Sequence, residues 1–159
     1  WLAKLVLAPS FYGHFFIEHN KGHHVRVSTP EDPTSSRLGE NFWFFLPRTV
    51  IGSARSAWHL EKERLARSGK GPWTLQNDVL NAWLMSVVLM GGIVLWLGPV
   101  VIPFLLVQGL FGFSLLEVVN YVEHYGLLRQ KEASGRYERC KPSHSWNSNH
   151  IVTNLLLYH

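Results

Sequence analysis

The sequence predicts an all-α fold, an integral membrane helical bundle, and three observations support this prediction. Residues 79–116 contain no charged side chain, and a run of that length holds two membrane helices of about 20 residues each. Gly98 and Pro99 lie near the middle of the run and are typical of a turn. Lys and Arg cluster outside the run, eight in residues 25–78 and five in residues 125–142. Two buried helices of a soluble protein are the alternative, but 159 residues offer little core to cover them.

The segments before the uncharged run alternate between apolar and polar character. Residues 1–24 are interpreted as the end of a helix that is interrupted at Pro9, and residues 27–41 as a loop rich in Pro and capping residues. The aromatic stretch 42–47 is typical of a membrane interface. Residues 52–71 predict a helix that begins at Ser53, ends at Gly69 or Gly71 and lies on the membrane surface.

The uncharged run itself predicts a transmembrane hairpin with helices at about 79–97 and 100–123. A polar loop follows, and residues 146–159 turn from polar to apolar at helical spacing without a stop signal. Because the chain begins at Trp1 and stops within this pattern, we expect residues 1–159 to form one partial domain of a longer protein, with truncated helices at 1–24 and 146–159. Both charged flanks lie on the same side of the hairpin, which the positive-inside rule assigns to the cytoplasm.

The remaining composition narrows the classes of partner. A net charge of +4 is explained by membrane topology, and the basic residues form no patch interleaved with exposed aromatic residues, so a nucleic-acid partner is not expected. The single cysteine, Cys140, cannot form an internal disulfide and is given no role. His59 stands among charged residues and is interpreted as a solvated surface residue.

The stretch EHNKGHH at residues 18–24 contains the first candidate site. On a helix His19 and His23 lie one turn apart on one face, and His24 follows directly. Neutral imidazole is the commonest metal ligand among side chains, whereas a solvated helix end is the alternative explanation. Glu18 is expected to accept a hydrogen bond from a ligand's second ring nitrogen and so fix its tautomer.

A second polar cluster, in EVVNYVEHYG at residues 117–126, ends the second hairpin helix. Asn120 and His124 are four residues apart and share a face. Glu117 is the ionisable residue within the span, which makes it a functional candidate. The hairpin topology brings His124 level with the first histidine cluster, so both are expected to contribute to one metal site. The residue types alone leave zinc, copper, iron and nickel open.

These stretches, with HSWNSNHIVTNLLLYH from His144, together resemble the membrane alkane hydroxylases of the membrane fatty acid desaturase and hydroxylase family. Residues 18–24 match the E-H-x-x-G-H-H box of that family and residues 124–126 its H-Y-G motif. The resemblance implies a non-haem di-iron centre with His19, His23, His24 and His124 among its ligands. The remaining ligands are expected in boxes before Trp1 and after His159.

The resemblance also implies an activity: hydroxylation of the terminal methyl group of medium- or long-chain alkanes with O2 as co-substrate. Electrons are expected from rubredoxin and rubredoxin reductase, and the protein is expected in the bilayer of the bacterial inner membrane with its site on the cytoplasmic side. Six polar residues are expected to hydrogen-bond to the ligands rather than to bind metal: Glu18, Glu117, Asn120, Glu123, His150 and Asn154.

Two alternative functions stay open at this point. A related membrane desaturase, or a hydroxylase of xylene or fatty acyl chains, uses the same chemistry, although the H-Y-G motif argues against a desaturase. A membrane metal transporter belongs to another class. It should place polar groups at mid-membrane, whereas those of the hairpin lie mostly near its ends.

Overall fold

The computed structural model describes residues 2–146 and 150, and these residues are helical with no β-strand beyond an isolated bridge between Lys131 and Tyr137. Short 3₁₀ turns at Ala8–Ser10, Pro99–Val101 and Pro142–His144 and a π-helical turn at His19–His23 accompany six helices. The helices are α1 (Leu2–Leu7), α2 (Phe15–Glu18), α3 (His24–Arg26), α4 (Phe42–Ala66), α5 (Asp78–Leu97) and α6 (Ile102–His124).

The hairpin predicted from the uncharged run is confirmed. Asp78–Leu97 and Pro99–His124 are both long and apolar enough to cross a membrane. Only 22% and 11% of the residues in their most apolar windows are buried in the described structure. A core helix of a soluble protein would be mostly buried, so the exposed apolar surface favours lipid as the solvent of this hairpin.

The turn between the two spans is encoded locally. Asn77 caps α5 at its start, where its side chain accepts hydrogen bonds from the backbone N–H of Val79 and Leu80. Gly98 ends the helix with a φ of 83°, a backbone conformation that glycine adopts without steric cost. Pro99 then opens the turn that leads into α6.

The N-terminal segment does not form the single emerging helix expected over residues 1–24. The expected interruption is present at Pro9, but the chain reverses there: α1 ends at Leu7, and Phe11 has a φ of 54°. Lys4 Nζ lies 2.6 Å from Asp78 Oδ1 at the first residue of α5, so α1 begins near that end of the hairpin. The segment therefore enters the bundle at α1 and returns through α2.

Small residues let this re-entrant segment pack between the hairpin helices. A Cβ at Gly112 of α6 would stand 3.1 Å from Ser10 Cβ, and one at Gly13 would stand 2.7 Å from Ala82 Cβ of α5. Along the axis of α6, Gly112 lies about 18 Å from His124 at the usual rise per residue. Non-helical backbone at such depth requires cover by protein, and Ala8 and Ser10 are indeed buried.

Helix α4 runs across the end of the hairpin where α5 begins and α6 ends. Near its start, the Phe45 ring packs 5.2 Å from that of Tyr121 in the last turn of α6. Near its other end, Glu61 Oε2 accepts a hydrogen bond of 2.8 Å from the backbone N–H of Asp78. The entry of α5 and the exit of α6 therefore lie on one side of the hairpin, joined by α4.

The start of α4 differs from the predicted one. The predicted N-cap, Ser53, lies buried within the helix, and the actual N-cap is Asn41, whose side chain accepts from the backbone N–H of Phe44. The aromatic stretch 42–47, expected at the interface, is thus the first part of the same helix. Pro47 does not end it, because in the second turn proline removes one N–H bond, here to Trp43, without blocking the residues that follow.

Candidate metal centre

The structure brings the four predicted histidines together at the end of the hairpin. The rings of His23 and His124 have centroids 4.8 Å apart, although the two residues belong to different ends of the chain. His19 lies 5.4 Å from His23 and 4.5 Å from His24 between ring centroids. His124 therefore lies beside the first histidine cluster, and a metal site formed by both stays a prediction.

A π-helical turn at His19–His23 carries two of these rings, and His24 follows it directly as the first residue of α3. Such turns are rare and occur frequently at functional sites. Gly22 is required within it, because a Cβ at this position would collide with the Glu18 carboxylate, which is fully buried beneath the turn. Gly22 therefore leaves room for the side chain of Glu18, which lies one turn earlier in the chain.

His23 is oriented by a carboxylate in the following loop. Its Nδ1 lies 2.8 Å from Asp32 Oδ2, and Thr34 and Ser35 hydroxyls bond to the same carboxylate. Burial raises the pKa of Asp32, but the hydrogen bonds from His23, Ser35 and the Thr34 backbone outweigh burial and hold this pKa below its usual value. An ionised Asp32 accepts a hydrogen bond from Nδ1–H of His23, and this tautomer presents Nε2 as the nitrogen that could bind a metal.

His124 is oriented in the same way by a backbone carbonyl. Its Nδ1 donates to the His144 carbonyl oxygen at 3.2 Å. Its Nε2 is buried and has no hydrogen-bond partner among the described residues. A buried unpaired nitrogen is costly, and an imidazole whose Nδ1–H is already bonded to a carbonyl offers that nitrogen as a ligand.

His19 and His24 complete a second pair of rings. Their Nε2 atoms lie 3.1 Å apart. Two imidazole nitrogens bound to one metal at about 2.0–2.1 Å stand about 2.8–3.4 Å from each other at octahedral or tetrahedral angles. The separation therefore fits two ligands of a single ion.

A cavity of about 540 Å³ opens beside the histidines, lined by His23, His24 and His124 with residues of the 140–145 loop. Within residues 2–146 and 150, no three His, Cys, Asp or Glu side chains already surround a common point at coordination distance. The four histidines form two pairs rather than a closed ligand set in the described part of the chain. The donor set fits metal ions, with further ligands required.

Glu117 has different partners from those expected. Tyr12 donates to its Oε1 at 2.6 Å, and Thr49 and Asn120 donate to its Oε2 at 2.8 and 3.3 Å. None of these donors is an imidazole, so the expected bond from a ligand ring is not among the contacts of Glu117 with the described residues and stays a prediction. The side-chain N–H₂ of Asn120 thus donates to Glu117 rather than to a histidine. The carboxylate instead joins the re-entrant segment, α4 and α6.

The other residues expected around the ligands have mixed positions. Glu18 Oε1 accepts from Arg26 at 2.8 Å, and no imidazole bonds to it among the described residues. Glu123 is buried, with Oε2 3.9 Å from His124 Nε2. His150 is exposed, and Asn154, like most of the helix expected at 146–159, lies outside the described residues. His59 is exposed and pairs with Glu63, as a solvated residue should.

Asp32 is the residue that sequence reasoning missed. It lies in the polar loop TPEDP, nine positions after His23, and no spacing rule joins a loop carboxylate to a helical histidine. Arg48 holds this loop by donating to the carbonyls of Pro33 and Ser35. A signal was present only in the composition of the loop, where Thr34 and Ser35 beside Asp32 are typical of a carboxylate-centred turn.

A family model described as fatty acid desaturase matches residues 1–159. Curated relatives carry more specific names. The chain is 53% identical to alkane 1-monooxygenase 1 of Alcanivorax borkumensis and 54% identical to alkane 1-monooxygenase of Pseudomonas putida, in each case over all of this chain and 39% and 40% of the relative.

A more distant relative is the hydroxylase component of xylene/toluene monooxygenase of Pseudomonas putida, 28% identical over 92% of this chain and 40% of the relative. The chain thus spans about two fifths of the length of the curated relatives it matches. The similarity covers the histidine cluster, α4 and both hairpin helices alike.

Proposed function

Because this chain belongs to the fatty acid desaturase family, we propose that it forms part of a non-haem di-iron monooxygenase. The reaction is hydroxylation of the terminal methyl group of medium- or long-chain alkanes. An alkane, O2, two electrons and two protons yield the primary alcohol and water. The relatives with 53% and 54% identity bear the name alkane 1-monooxygenase, which supports this reaction over others of the family.

The single observation that carries the proposal is the convergence of His124 with the histidines of residues 18–24. A buried Nε2 without a hydrogen-bond partner among the described residues, 4.8 Å between the ring centroids of His23 and His124, and a cavity beside them are what a metal centre needs. We propose His19, His23, His24 and His124 as iron ligands, with the remaining ligands outside residues 2–146.

The chemistry explains why this ligand set is suitable. An unactivated C–H bond offers neither an acidic proton nor a polar group, so side-chain acids and bases cannot attack it. Bound iron supplies the activation of O2 that this bond requires. The residues of this chain fix the imidazole tautomers: Asp32 accepts a hydrogen bond from Nδ1–H of His23, and the His144 carbonyl accepts one from Nδ1–H of His124.

The apolar hairpin beside the site suits an alkane that enters from the bilayer. We propose rubredoxin, reduced by rubredoxin reductase, as the electron donor on the side where α4 lies. The basic flanks of the hairpin favour placement of that side in the cytoplasm and of the protein in the bacterial inner membrane. Residues 1–159 then constitute one partial desaturase-like domain.

The test replaces single histidines in the full-length protein. We expect His124→Ala to lower bound iron per chain and to abolish conversion of octane to 1-octanol. The matched control is His59→Ala, which removes an exposed imidazole that pairs with Glu63 and should change neither quantity. Full iron content and turnover in His124→Ala would exclude His124 as a ligand.

The substrate class is tested separately because the xylene/toluene relative offers a second candidate. Turnover of octane and of p-xylene by the same preparation distinguishes the two. A preference for p-xylene with intact iron would replace the alkane substrate and keep the metal centre.

A further inference from the structure

A cleft separate from the histidine cavity lies between the 30–37 loop and one face of α4. Its volume is about 550 Å³, and its lining includes Arg37, Arg48, Arg55, Phe44 and Ile51. The residues contributed by α4 recur at intervals of three and four positions, so they share one face of that helix. The cleft is not used by the proposed metal chemistry.

The position of α4 places this cleft at the level of the membrane surface. Phe42 and Phe45, in the first turn of α4, pack against Tyr121 in the last turn of the second span, with ring centroids 5.7 and 5.2 Å apart. The end of a membrane span lies where hydrocarbon gives way to headgroups. The start of α4 therefore lies at headgroup depth.

The basic side chains of the cleft are available to a ligand. Arg48 is engaged, since it bonds to both carboxylate oxygens of Glu40 and to two loop carbonyls. Among residues 2–146 and 150, the guanidinium groups of Arg37 and Arg55 make no hydrogen bond and no ion pair within 4 Å, and both residues are exposed. Of the acidic lining residues, Asp32 is turned to His23 and Glu31 is exposed.

Apolar side chains border the same cleft. Phe44 is 74% exposed and Ile51 is 52% exposed. Arginine planes next to open aliphatic and aromatic surface suit a ligand that has an anionic head and hydrocarbon chains. A soluble anion has no hydrocarbon chain to contact the apolar side chains of the cleft.

We propose that this cleft binds an anionic phospholipid, with the phosphate between Arg37 and Arg55 and the acyl chains along Phe44 and Ile51. Arginine is the preferred partner of phosphate oxygens because its planar fork donates two parallel hydrogen bonds. Interfacial basic pockets on membrane proteins hold such headgroups. Arg48, clamped to Glu40 and to the loop, keeps the cleft open between the two elements.

The test measures lipid retention by the full-length protein. The purified protein is titrated with dioleoylphosphatidylglycerol, and separately with dioleoylphosphatidylcholine, and bound lipid is counted by native mass spectrometry. The variant is Arg37→Gln/Arg55→Gln. The matched control is Arg67→Gln/Arg136→Gln, which removes the same charge from exposed arginines outside the cleft. Arg37→Lys/Arg55→Lys keeps the charge and checks that the fold tolerates substitution.

We expect wild-type protein to prefer phosphatidylglycerol and the cleft variant to lose at least about 10-fold in its affinity, since each interfacial arginine is worth about 5-fold. The control variant should stay within about 3-fold of wild type. The lysine variant, which keeps the charge but not the planar fork, should fall between wild type and the glutamine variant. Inorganic phosphate at millimolar concentration should not displace the lipid.

Four results would overturn the proposal. Equal retention of both lipids by wild type removes the headgroup preference. Equal losses in the cleft and control variants assign the effect to net charge. Displacement of the lipid by inorganic phosphate assigns the arginines to a soluble anion. A cleft variant that still binds phosphatidylglycerol but no longer binds an acidic soluble protein assigns them to a protein partner.

Discussion

At the scale of the residue, an imidazole is directed to a metal by what its other nitrogen contacts. His23 and His124 each have Nδ1 bonded to an oxygen, the former to Asp32 and the latter to the His144 carbonyl. His59 pairs with Glu63 and faces solvent. The spacing of histidines in residues 18–24 located His23, and the hairpin topology located His124. The oxygen atoms that orient these two rings come from loops and were not visible in any periodic pattern.

Asp32→Asn tests this orientation. The amide keeps the shape of the carboxylate but removes the charge that strengthens the hydrogen bond from His23 Nδ1–H, so we expect iron affinity to fall about 10- to 100-fold while α-helical content stays unchanged. Iron per chain, measured against free iron concentration, checks the effect. Glu31→Gln is the neighbouring control, because Glu31 is exposed and should leave iron affinity unchanged; equal effects of the two substitutions would contradict the role of Asp32.

Glu117 is predicted to act on stability. Glu117→Leu leaves the buried donors of Thr49 and Asn120 without this acceptor, at about 1–3 kcal/mol for each unsatisfied group, and leaves Tyr12 only its contact with Ser53 Oγ. Glu117→Gln retains one acceptor oxygen for Thr49 and Asn120, and Tyr12 has a second partner in Ser53 Oγ at 3.2 Å. We therefore expect the Leu variant to unfold at clearly lower temperature and the Gln variant to keep its iron. Iron loss in Glu117→Gln with unchanged melting temperature would instead favour a role toward the ligands.

At the scale of the element, α4 shows where local signals compete. Asn41 and Ser53 are both good capping residues, and Pro47 lies between them, so the sequence favoured a start after the proline. The structure begins at Asn41 because Phe42 and Phe45 pack on Tyr121, a tertiary contact that outweighs one lost backbone bond. The hairpin helices had no such competition: an uncharged run, an Asn cap and a Gly-Pro turn all agreed with the same boundaries.

Glu61 joins α4 to α5, and its ionisation is expected to make the stability of the fold depend on pH. Burial raises its pKa, but the bonds from Arg64 and the Asp78 N–H outweigh burial and hold the pKa below its usual value. A folded-state pKa below the unfolded one stabilises the fold above the unfolded pKa, and this contribution is lost as pH falls through the folded value. We expect the melting-temperature difference between wild type and Glu61→Gln to be full near pH 7 and to shrink as the pH falls below about 4. Glu63→Gln, at a half-exposed carboxylate, should show little difference at any pH.

At the scale of the whole molecule, the parts that could be predicted are those specified within a short stretch of chain. The composition of residues 78–124 alone predicts two membrane-spanning helices. The re-entrant N-terminal segment could not be predicted, because its depth depends on Ser10 meeting Gly112 and Gly13 meeting Ala82, contacts between residues about 70 to 100 positions apart. A glycine in a membrane helix is common and does not reveal which segment it admits.

The topology of the hairpin is the last prediction. Helix α4 contacts both the entry of α5 and the exit of α6, so the exposed segments after α4 and after α6 must face the same compartment. Reporter fusions after Gly69 and after Ala133 should both be active on the cytoplasmic side, where the basic flanks place them, and a fusion after Val100 should report the opposite side. Opposite locations for Gly69 and Ala133 would mean an odd number of spans between them. That result is incompatible with the packing of α4 across both ends of the hairpin and, because His124 would then lie across the membrane from His23, with a single metal centre built from both.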